Sequence, residues 1–268
     1  MSTVSAVLSE VRAANPLVHC MTNTVVPEIT ANVLLAVGAA PAMIDLPEEA
    51  AIFAGIASAL LINIGNGSAE QHAGMRLAAP AAVAAGHPWV LDPVAVGGLP
   101  VRTALARDLL ADRPTAIRGN ASEILGLAGA STGGRGVDAT DDAESALDTA
   151  CTLADTTGAI VAVSGPVDVI VSPDGRVTRV TGGSPLMPLV IGTGCSLGAV
   201  VAACLGAARP AGLDEHDAVV AAHALFAAAG SLAATQTAGP GSFRTAWLDA
   251  LHTLTPEATL AAVDIAEA

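Results

Sequence analysis

A glycine-rich turn that runs directly into an apolar segment is the feature of this sequence with the clearest chemical potential. The turn reads Gly192-Thr193-Gly194-Cys195, and residues 197–208 after it are apolar and typical of a helix. Backbone N–H groups at such a turn can converge on an anion, because side-chain bulk is small and the positive end of the helix dipole faces the same point. The same field favours the thiolate of Cys195. These four residues therefore predict an anion hole, used for phosphoryl transfer or for thiol chemistry, unless the turn is purely structural.

The uncharged stretch around this turn raises the question of a membrane span. Residues 180–208 contain no charged side chain, a length above the roughly 20 residues that a spanning helix needs. Pro185, Pro188, Gly192 and Gly194 interrupt the stretch, so its continuous helical part is too short to cross a bilayer. The pattern favours a buried core helix.

Short runs of valine, isoleucine and leucine alternate with alanine-rich helical segments, which is typical of a mostly parallel sheet with helices on both faces. The predicted strands are residues 60–64, 89–91, 116–117 and 160–163. Ligands of open α/β sheets bind at the carboxyl ends of strands, so we expect these four ends to line one site with the Cys195 turn. A hairpin is predicted at residues 168–172 and 176–180, around Pro173-Asp174-Gly175, which makes the sheet mixed.

Composition indicates one globular domain over residues 1–268, with 52% hydrophobic and 13% charged residues. The second half predicts helices at residues 214–235, 243–251 and 258–267, and no linker or repeat divides the chain. The first twelve residues lack the basic and apolar regions of a secretory signal, so a cytoplasmic location is expected.

The charge balance restricts the possible partners. The formal net charge is −14, and all 11 basic residues are arginine. Nucleic acid and anionic membranes bind mainly through phosphate neutralisation, so both are poor partners and a small molecule is expected. The absence of lysine excludes a Walker A lysine and a Schiff base. Any phosphate must therefore be held by backbone amides, arginine and a metal ion.

Several segments can be compared with known families. In order along the chain they are PLVHCMTN at 16–23, TAN at 30–32, GAAPAM at 38–43, LDPVAVG at 91–97, IRGNASE at 117–123 and the turn that ends at Cys195. Together they resemble the hydroxyethylthiazole kinase family of the ribokinase-like superfamily, over about residues 15–243. The resemblance implies ATP- and Mg²⁺-dependent phosphorylation of the primary alcohol of 4-methyl-5-(2-hydroxyethyl)thiazole, in thiamine salvage. It also implies a homotrimer in which two subunits line each thiazole site.

The resemblance assigns substrate residues one by one. Met43 and Gly192 match the thiazole-binding positions, and Asn23 lies in the matching substrate segment. The polarizable thioether of methionine packs well on an aromatic ring. Without the resemblance, Met43 would be interpreted as a core residue and Asn23 as a turn residue.

Phosphate and metal positions follow in the same way. Arg118 and Ser164 match the ATP-binding positions, and arginine can clamp phosphate oxygens with its planar donors. Asp92 and Glu123 match the carboxylates used around Mg²⁺, partly through water, and Mg²⁺ needs only one or two carboxylates. Glu123 also completes a capping box that begins at Asn120, and Asp92 precedes a proline, so both have a possible structural purpose.

The resemblance makes Cys195 the catalytic position, where ribokinase-like enzymes usually carry an aspartate base. A loose phosphoryl-transfer transition state depends more on positioning than on early proton removal, so Cys195 is either a base or a positioning group. Ser164 stands where threonine is usual, and Pro188-Leu189 replaces a more polar pair. The acceptor alcohol is therefore less defined than the reaction class.

Three alternatives remain open at the sequence level. The nearest is a kinase of another heterocyclic alcohol, of the pyrimidine type. A second is a cysteine-dependent hydrolase or transferase, in which His19, His216 or His223 would serve as the base for Cys195. The third is a nucleotide-binding protein without catalysis, which would bind ATP but release no ADP in response to an alcohol.

Overall fold

The computed structural model describes residues 3–130 and 143–268. The strands in these ranges are β1 (Leu17–Met21), β2 (Ala40–Ala42), β3 (Ala59–Asn63), β4 (Trp89–Asp92), β5 (Ala116–Asn120), β6 (Ile160–Ser164), β7 (Val167–Val171), β8 (Val177–Thr181) and β9 (Asp264–Glu267). They form one sheet in the spatial order β2-β1-β3-β4-β5-β6-β7-β8-β9.

The α-helices of the same ranges are α1 (Thr3–Ala14), α2 (Pro27–Val37), α3 (Pro47–Ala54), α4 (Ala69–Ala85), α5 (Pro100–Leu110), α6 (Ala121–Leu127), α7 (Leu147–Thr157), α8 (Thr193–Ala211), α9 (Glu215–Ala234), α10 (Pro240–Thr253) and α11 (Pro256–Ala261). Their starts follow local sequence signals. For example, α4 begins with a capping box between Ser68 and Gln71, and α6 with one between Asn120 and Glu123.

Helices cover both faces of the sheet. Each face has its own core, because successive side chains of the central strands point to opposite faces. Ala59 and Leu61 of β3 contribute to one core, and Leu60 and Ile62 contribute to the other. The first core is covered by α1, α2, α8, α9 and α10, and the second by α3 to α7. The expected α/β architecture is confirmed.

Strand directions divide the sheet into two parts. The pairs from β2 through β6 are parallel, whereas β6 to β9 pair antiparallel. The predicted strands near residues 60–64, 89–91, 116–117 and 160–163 are confirmed as β3 to β6, and the predicted hairpin is β7-β8. The parallel part carries the polar strand ends that the sequence singled out.

The predicted helix at residues 258–267 is wrong in its second half. Helix α11 ends at Ala261, and residues 264–267 form β9, which pairs antiparallel with β8. Strand β8 would otherwise present unpaired backbone groups, and pairing with β9 satisfies them. This tertiary demand outweighs the local helical pattern.

Helices α8 and α9 are each long and apolar enough to cross a membrane, by length and composition alone. The apolar stretch of 18 residues within each helix is 72% buried inside the fold in α8 and 78% buried in α9. They pack against each other and, on the first core, against the sheet. The prediction of a buried helix after the Cys195 turn is confirmed.

Candidate active site

Polar side chains at the carboxyl ends of neighbouring parallel strands meet at the start of α8. The Asn23 amide, just beyond β1, donates to Asn63 Oδ1 at the end of β3 over 3.0 Å. The Asn63 amide donates to Asp92 Oδ2 at the end of β4 over 2.8 Å. Asn23 Nδ2 also lies 3.5 Å from the sulfur of Cys195. The structure therefore brings Asn23, Asp92 and Cys195 together as the sequence predicted.

Arg118 extends this network toward β6. Its Nε and Nη2 donate to the Ser164 hydroxyl over 3.0 and 2.8 Å, and its Nη1 lies 3.8 Å from Asp92 Oδ2. The Arg118 side chain is about 10% exposed, so little solvent screens its charge. The two residues matched to ATP-binding positions thus contact each other, and the arginine faces the carboxylate matched to Mg²⁺.

The N-terminus of α8 has free backbone donors beside this arginine. The Thr193 amide donates to Val190 and the Ser196 amide to Gly192, whereas those of Gly194 and Cys195 have no acceptor in residues 3–130 and 143–268. A Cβ on Gly194 would lie 3.4 Å from Arg118 Nη1. Two free amides at a helix N-terminus therefore lie near a guanidinium group, an arrangement that suits an anion.

Gly192 has a conformation and a contact that only glycine can combine. Its φ is +91°, and a Cβ there would clash with Cγ2 of Ile29 on α2. Gly192 is the N-cap of α8, so this close approach fixes where the helix begins. The predicted turn is thus held against α2.

The thiol of Cys195 is neutral at pH 7. Burial, followed by the charge of Asp92, raises the pKa of this thiol to about 11. The predicted preference for the thiolate is wrong, because desolvation and a neighbouring carboxylate outweigh the field of the helix start. Each of His19, His216 and His223 has a hydrogen-bond partner other than Cys195. Within residues 3–130 and 143–268, none of these three histidines forms a hydrogen bond with Cys195 that would activate it as a nucleophile.

Asp92 has the properties expected of a direct cation ligand. The residue is fully buried, and its Oδ1 has no hydrogen-bond partner among the described residues. Burial raises the pKa of this carboxyl to about 7, although Arg118 acts in the opposite direction. A buried carboxylate oxygen without a partner is costly unless a proton or a cation occupies it. Because this oxygen is unpaired, Asp92 fits Mg²⁺.

The surroundings of Glu123 fit an indirect contact with the metal. Its Oε2 accepts the backbone N–H of Asn120 over 2.9 Å, and its Oε1 accepts the backbone N–H of Ala95 over 3.1 Å. The capping box anticipated from the sequence is therefore present, and the same carboxylate holds Ala95 at a φ of +58°. Because backbone donors already occupy both oxygens, Glu123 suits contact with a metal through water rather than directly.

Met43 lies apart from this network. It follows β2, the edge strand, and its half-buried side chain packs against the core that α8 and α9 cover. No hydrogen bond or close approach to Gly192 or Asn23 is seen for it in the described residues. In the part of the chain that the structure describes, Met43 therefore takes no part in the polar network of the site.

The sequence placed the end of the strand at residues 60–64, which runs into Gly65, at the site, but it missed Asn63 and the part that Gly65 plays there. Asn63 bridges Asn23 and Asp92 and also accepts the Gly65 amide over 3.1 Å. A Cβ on Gly65 would lie 2.7 Å from that of Asn23, so this glycine makes room for the Asn23 side chain. The available signal was an asparagine at the end of an otherwise apolar, buried strand, a polar residue that needs partners.

The fold and the site together define a class of protein. A ribokinase-like superfamily protein from Enterococcus faecalis V583 aligns with a TM-score of 0.63 at 14% identity, covering 94% of each chain. A pyridoxal kinase from Staphylococcus aureus, solved with ADP, aligns with a TM-score of 0.62 at 14% identity, covering 94% of this chain and 98% of that one. At these identities the likeness concerns the fold alone, and this chain has the ribokinase-like fold.

Within that class, the chain belongs to the hydroxyethylthiazole kinase family, whose profile matches residues 8–257. It is 56% identical to the hydroxyethylthiazole kinase of Corynebacterium glutamicum (strain R) over 261 residues, 97% of each chain. It is 58% identical to that of Klebsiella pneumoniae subsp. pneumoniae over 241 residues, 90% of this chain and 91% of the relative. The structure of a hydroxyethylthiazole kinase protein from Pyrococcus horikoshii OT3 aligns over 100% of both chains, with a TM-score of 0.89 and 31% identity. The resemblance noted in the sequence is confirmed.

Proposed function

We propose that this protein transfers the γ-phosphoryl group of ATP to the primary alcohol of 4-methyl-5-(2-hydroxyethyl)thiazole, with Mg²⁺, as a step of thiamine salvage. Membership of the family and identities of 50–58% to hydroxyethylthiazole kinases support the substrate and the reaction class. The observation that carries the mechanism is the convergence of the Gly194 and Cys195 amides with Arg118 and Asp92.

In the proposed reaction, the substrate hydroxyl lies beside Cys195 and attacks the γ-phosphorus in line. The new P–O bond forms as the bond to the β,γ-bridging oxygen breaks, and ADP leaves with the electron pair. The hydroxyl proton is lost late and passes to an oxygen of the transferred phosphoryl group, from which it exchanges with water. The Gly194 and Cys195 amides and Arg118 stabilise the charge on the equatorial oxygens. When bound, Mg²⁺ neutralises phosphate charge; Asp92 would hold it directly and Glu123 through water.

The raised pKa of the Cys195 thiol supports a positioning role for this residue. A neutral thiol near pKa 11 removes a proton poorly at pH 7, and a loose transition state leaves that proton on the hydroxyl until late. Asn23, which contacts the sulfur, fixes the direction of the thiol. The substrate oxygen is therefore oriented by Cys195 rather than deprotonated by it.

The proposal includes a homotrimer in the cytoplasm, with Met43 and Gly192 on the thiazole. Large apolar side chains next to the site are exposed in the single chain: Val25 is 51%, Leu189 64% and Ile191 69% exposed. Met43 follows β2, the edge strand of the sheet. A second subunit that covers this region would bury these side chains and complete a thiazole site, which light scattering combined with sedimentation would test.

The experiment that tests the function is ADP release by the purified protein with ATP and Mg²⁺, measured with the hydroxyethylthiazole, with a hydroxymethylpyrimidine or without an alcohol. Thiazole-dependent ADP supports the proposal. Release that depends only on the pyrimidine would replace the acceptor and direct attention to Pro188 and Leu189. The absence of any alcohol-dependent ADP would contradict the proposed reaction.

Replacing Cys195 by aspartate is expected to retain turnover within about tenfold of wild type or to raise it. Aspartate keeps an acceptor for the Asn23 amide and adds a base with a lower pKa than the thiol. The measurement is kcat at saturating ATP and alcohol. Cys195→Ser is the matched control, because it keeps the size and lacks the base. A folded Cys195→Asp enzyme without activity would contradict this account.

A further inference from the structure

A buried histidine and a half-buried aspartate form a pair behind the proposed ATP residues. His223 on α9 has no exposed surface, and its Nδ1 lies 2.6 Å from Oδ2 of Asp168 on β7. Around His223, the buried residues of α9 are mostly alanine, valine and leucine. A histidine at such a position is costly to bury, so its hydrogen bond has to contribute something that an apolar residue could not.

The pair reaches the proposed ATP site in two steps. Asp168 Oδ1 accepts the backbone N–H of Gly165 over 2.9 Å, and Gly165 directly follows Ser164 at the end of β6. The Ser164 hydroxyl in turn accepts two donors of Arg118, at 3.0 and 2.8 Å. A continuous set of contacts therefore connects α9 to the Arg118 guanidinium.

The surroundings of Nε2, the other ring nitrogen of His223, indicate which tautomer the ring adopts. Nε2 has no hydrogen-bond partner among the described residues. With the proton on Nδ1, the histidine donates to Asp168 and leaves only a lone pair unpaired, whereas a proton on Nε2 would be a buried donor without an acceptor. The tautomer that carries the proton on Nδ1 and donates it to Asp168 is therefore favoured.

We propose that His223 and Asp168 are positioning residues for the phosphoryl donor: they hold the Gly165 amide, and through it the Ser164 hydroxyl and the Arg118 guanidinium, in the orientation that binds ATP phosphates. This inference rests on the proposed assignment of Arg118 and Ser164 to ATP. His223 and Asp168 touch no substrate in this arrangement. Their effect reaches ATP only through Ser164 and Arg118.

The test compares two buried histidines of the same helix. His216, two turns before His223, contacts the hydroxyls of Ser172 and Thr178 in the β7-β8 hairpin, away from Gly165. His223→Leu is expected to raise the KM for ATP about tenfold and to leave the KM for the alcohol within about twofold. His216→Leu, with a comparable loss of thermal stability, is expected to change neither KM. Equal KM values for ATP in the wild type and His223→Leu would overturn the inference.

A rescuing variant and a double variant distinguish a positioning role of His223 from a general effect on stability. His223→Asn places an amide N–H near the position of Nδ1 and is expected to restore most of the ATP affinity. In a Ser164→Ala background, His223→Leu should add little to the KM for ATP, because the two residues act through one set of contacts. Additive effects, or no rescue by asparagine, would count against the inference.

Two further variants keep the inference testable. If His223→Leu does not fold, Asp168→Ala removes the acceptor for Gly165 without altering α9 and has the same expectation. Arg118→Met is the reference for the proposed function and should raise the KM for ATP at least as much as His223→Leu. An unchanged KM in Arg118→Met would reject the ATP assignment and the inference with it. A raised KM in Arg118→Met alone would reject only the inference.

Discussion

Replacing Asp92 by asparagine is expected to lower kcat by about 10³-fold or more, the loss typical of a group that stabilises transferring phosphoryl charge. The carboxylate has a buried oxygen without a partner and faces Arg118 at 3.8 Å. Asparagine keeps the shape and an oxygen for the Asn63 amide, but it removes the charge that a divalent cation requires. Turnover at saturating ATP, alcohol and Mg²⁺ measures the effect.

Thermal stability distinguishes a loss of catalysis in the Asp92→Asn enzyme from a loss of folding. Burial raises the pKa of Asp92 to about 7 in the native protein, while an unfolded carboxyl titrates near 4. Between these values the native state holds a proton that the unfolded state has lost, so native stability falls as pH rises through this window. Without ligands at pH 8, the Asp92→Asn protein should therefore unfold at the same temperature as the wild type or higher, with a weaker pH dependence.

A distant carboxylate provides the control for Asp92. Asp217 pairs with Arg176 at 3.3 Å beside the β7-β8 hairpin, away from the polar network of the site. Asp217→Asn should leave kcat unchanged. Wild-type kcat in the Asp92→Asn enzyme would remove this carboxylate from the proposed mechanism.

Replacing Gly192 by alanine is expected to lower kcat/KM by about 10²-fold, because α8 must move for the variant to fold. The new Cβ would clash with Ile29 Cγ2, and the φ of +91° disfavours any L side chain. Displacement of the helix start carries the Gly194 and Cys195 amides away from Arg118. Steady-state kinetics with both substrates, together with thermal unfolding, measure the two consequences.

The opposite end of the same helix supplies the control for Gly192. Gly212 caps α8 with a φ of +67°, and no atom lies within 4 Å of the place where its Cβ would be. Gly212→Ala therefore adds backbone strain alone, about 1 kcal/mol, and activity should persist. Equal losses of activity in both variants would show that strain, rather than the position of the amides, governs the Gly192 effect.

Local patterns in the sequence predicted the parts of the site that depend on neighbours in the chain. The Gly192 turn, the Asn120–Glu123 capping box and the β7-β8 hairpin each follow from a few adjacent residues. The central strands followed from their apolar runs and the polar residues that end them. For these features, local backbone preference and tertiary structure agree.

Features of the site that depend on residues far apart along the chain could not be predicted from the sequence. Asn63 gains its role from Asn23 and Asp92, which lie 40 and 29 positions away along the chain. The protonation of Cys195 depends on burial, which local sequence does not report, and the helix-start field alone pointed to the wrong state. Strand β9 forms because an unpaired edge was available to it.

Strand β9 also affects how this protein behaves at high concentration. It covers the backbone donors and acceptors of β8 and leaves Asp264 and Glu267 exposed on the new outermost strand. Another copy that approached this edge would meet like charge on a molecule of net charge −14. Acidic residues on a four-residue border strand act as gatekeepers against edge-to-edge aggregation.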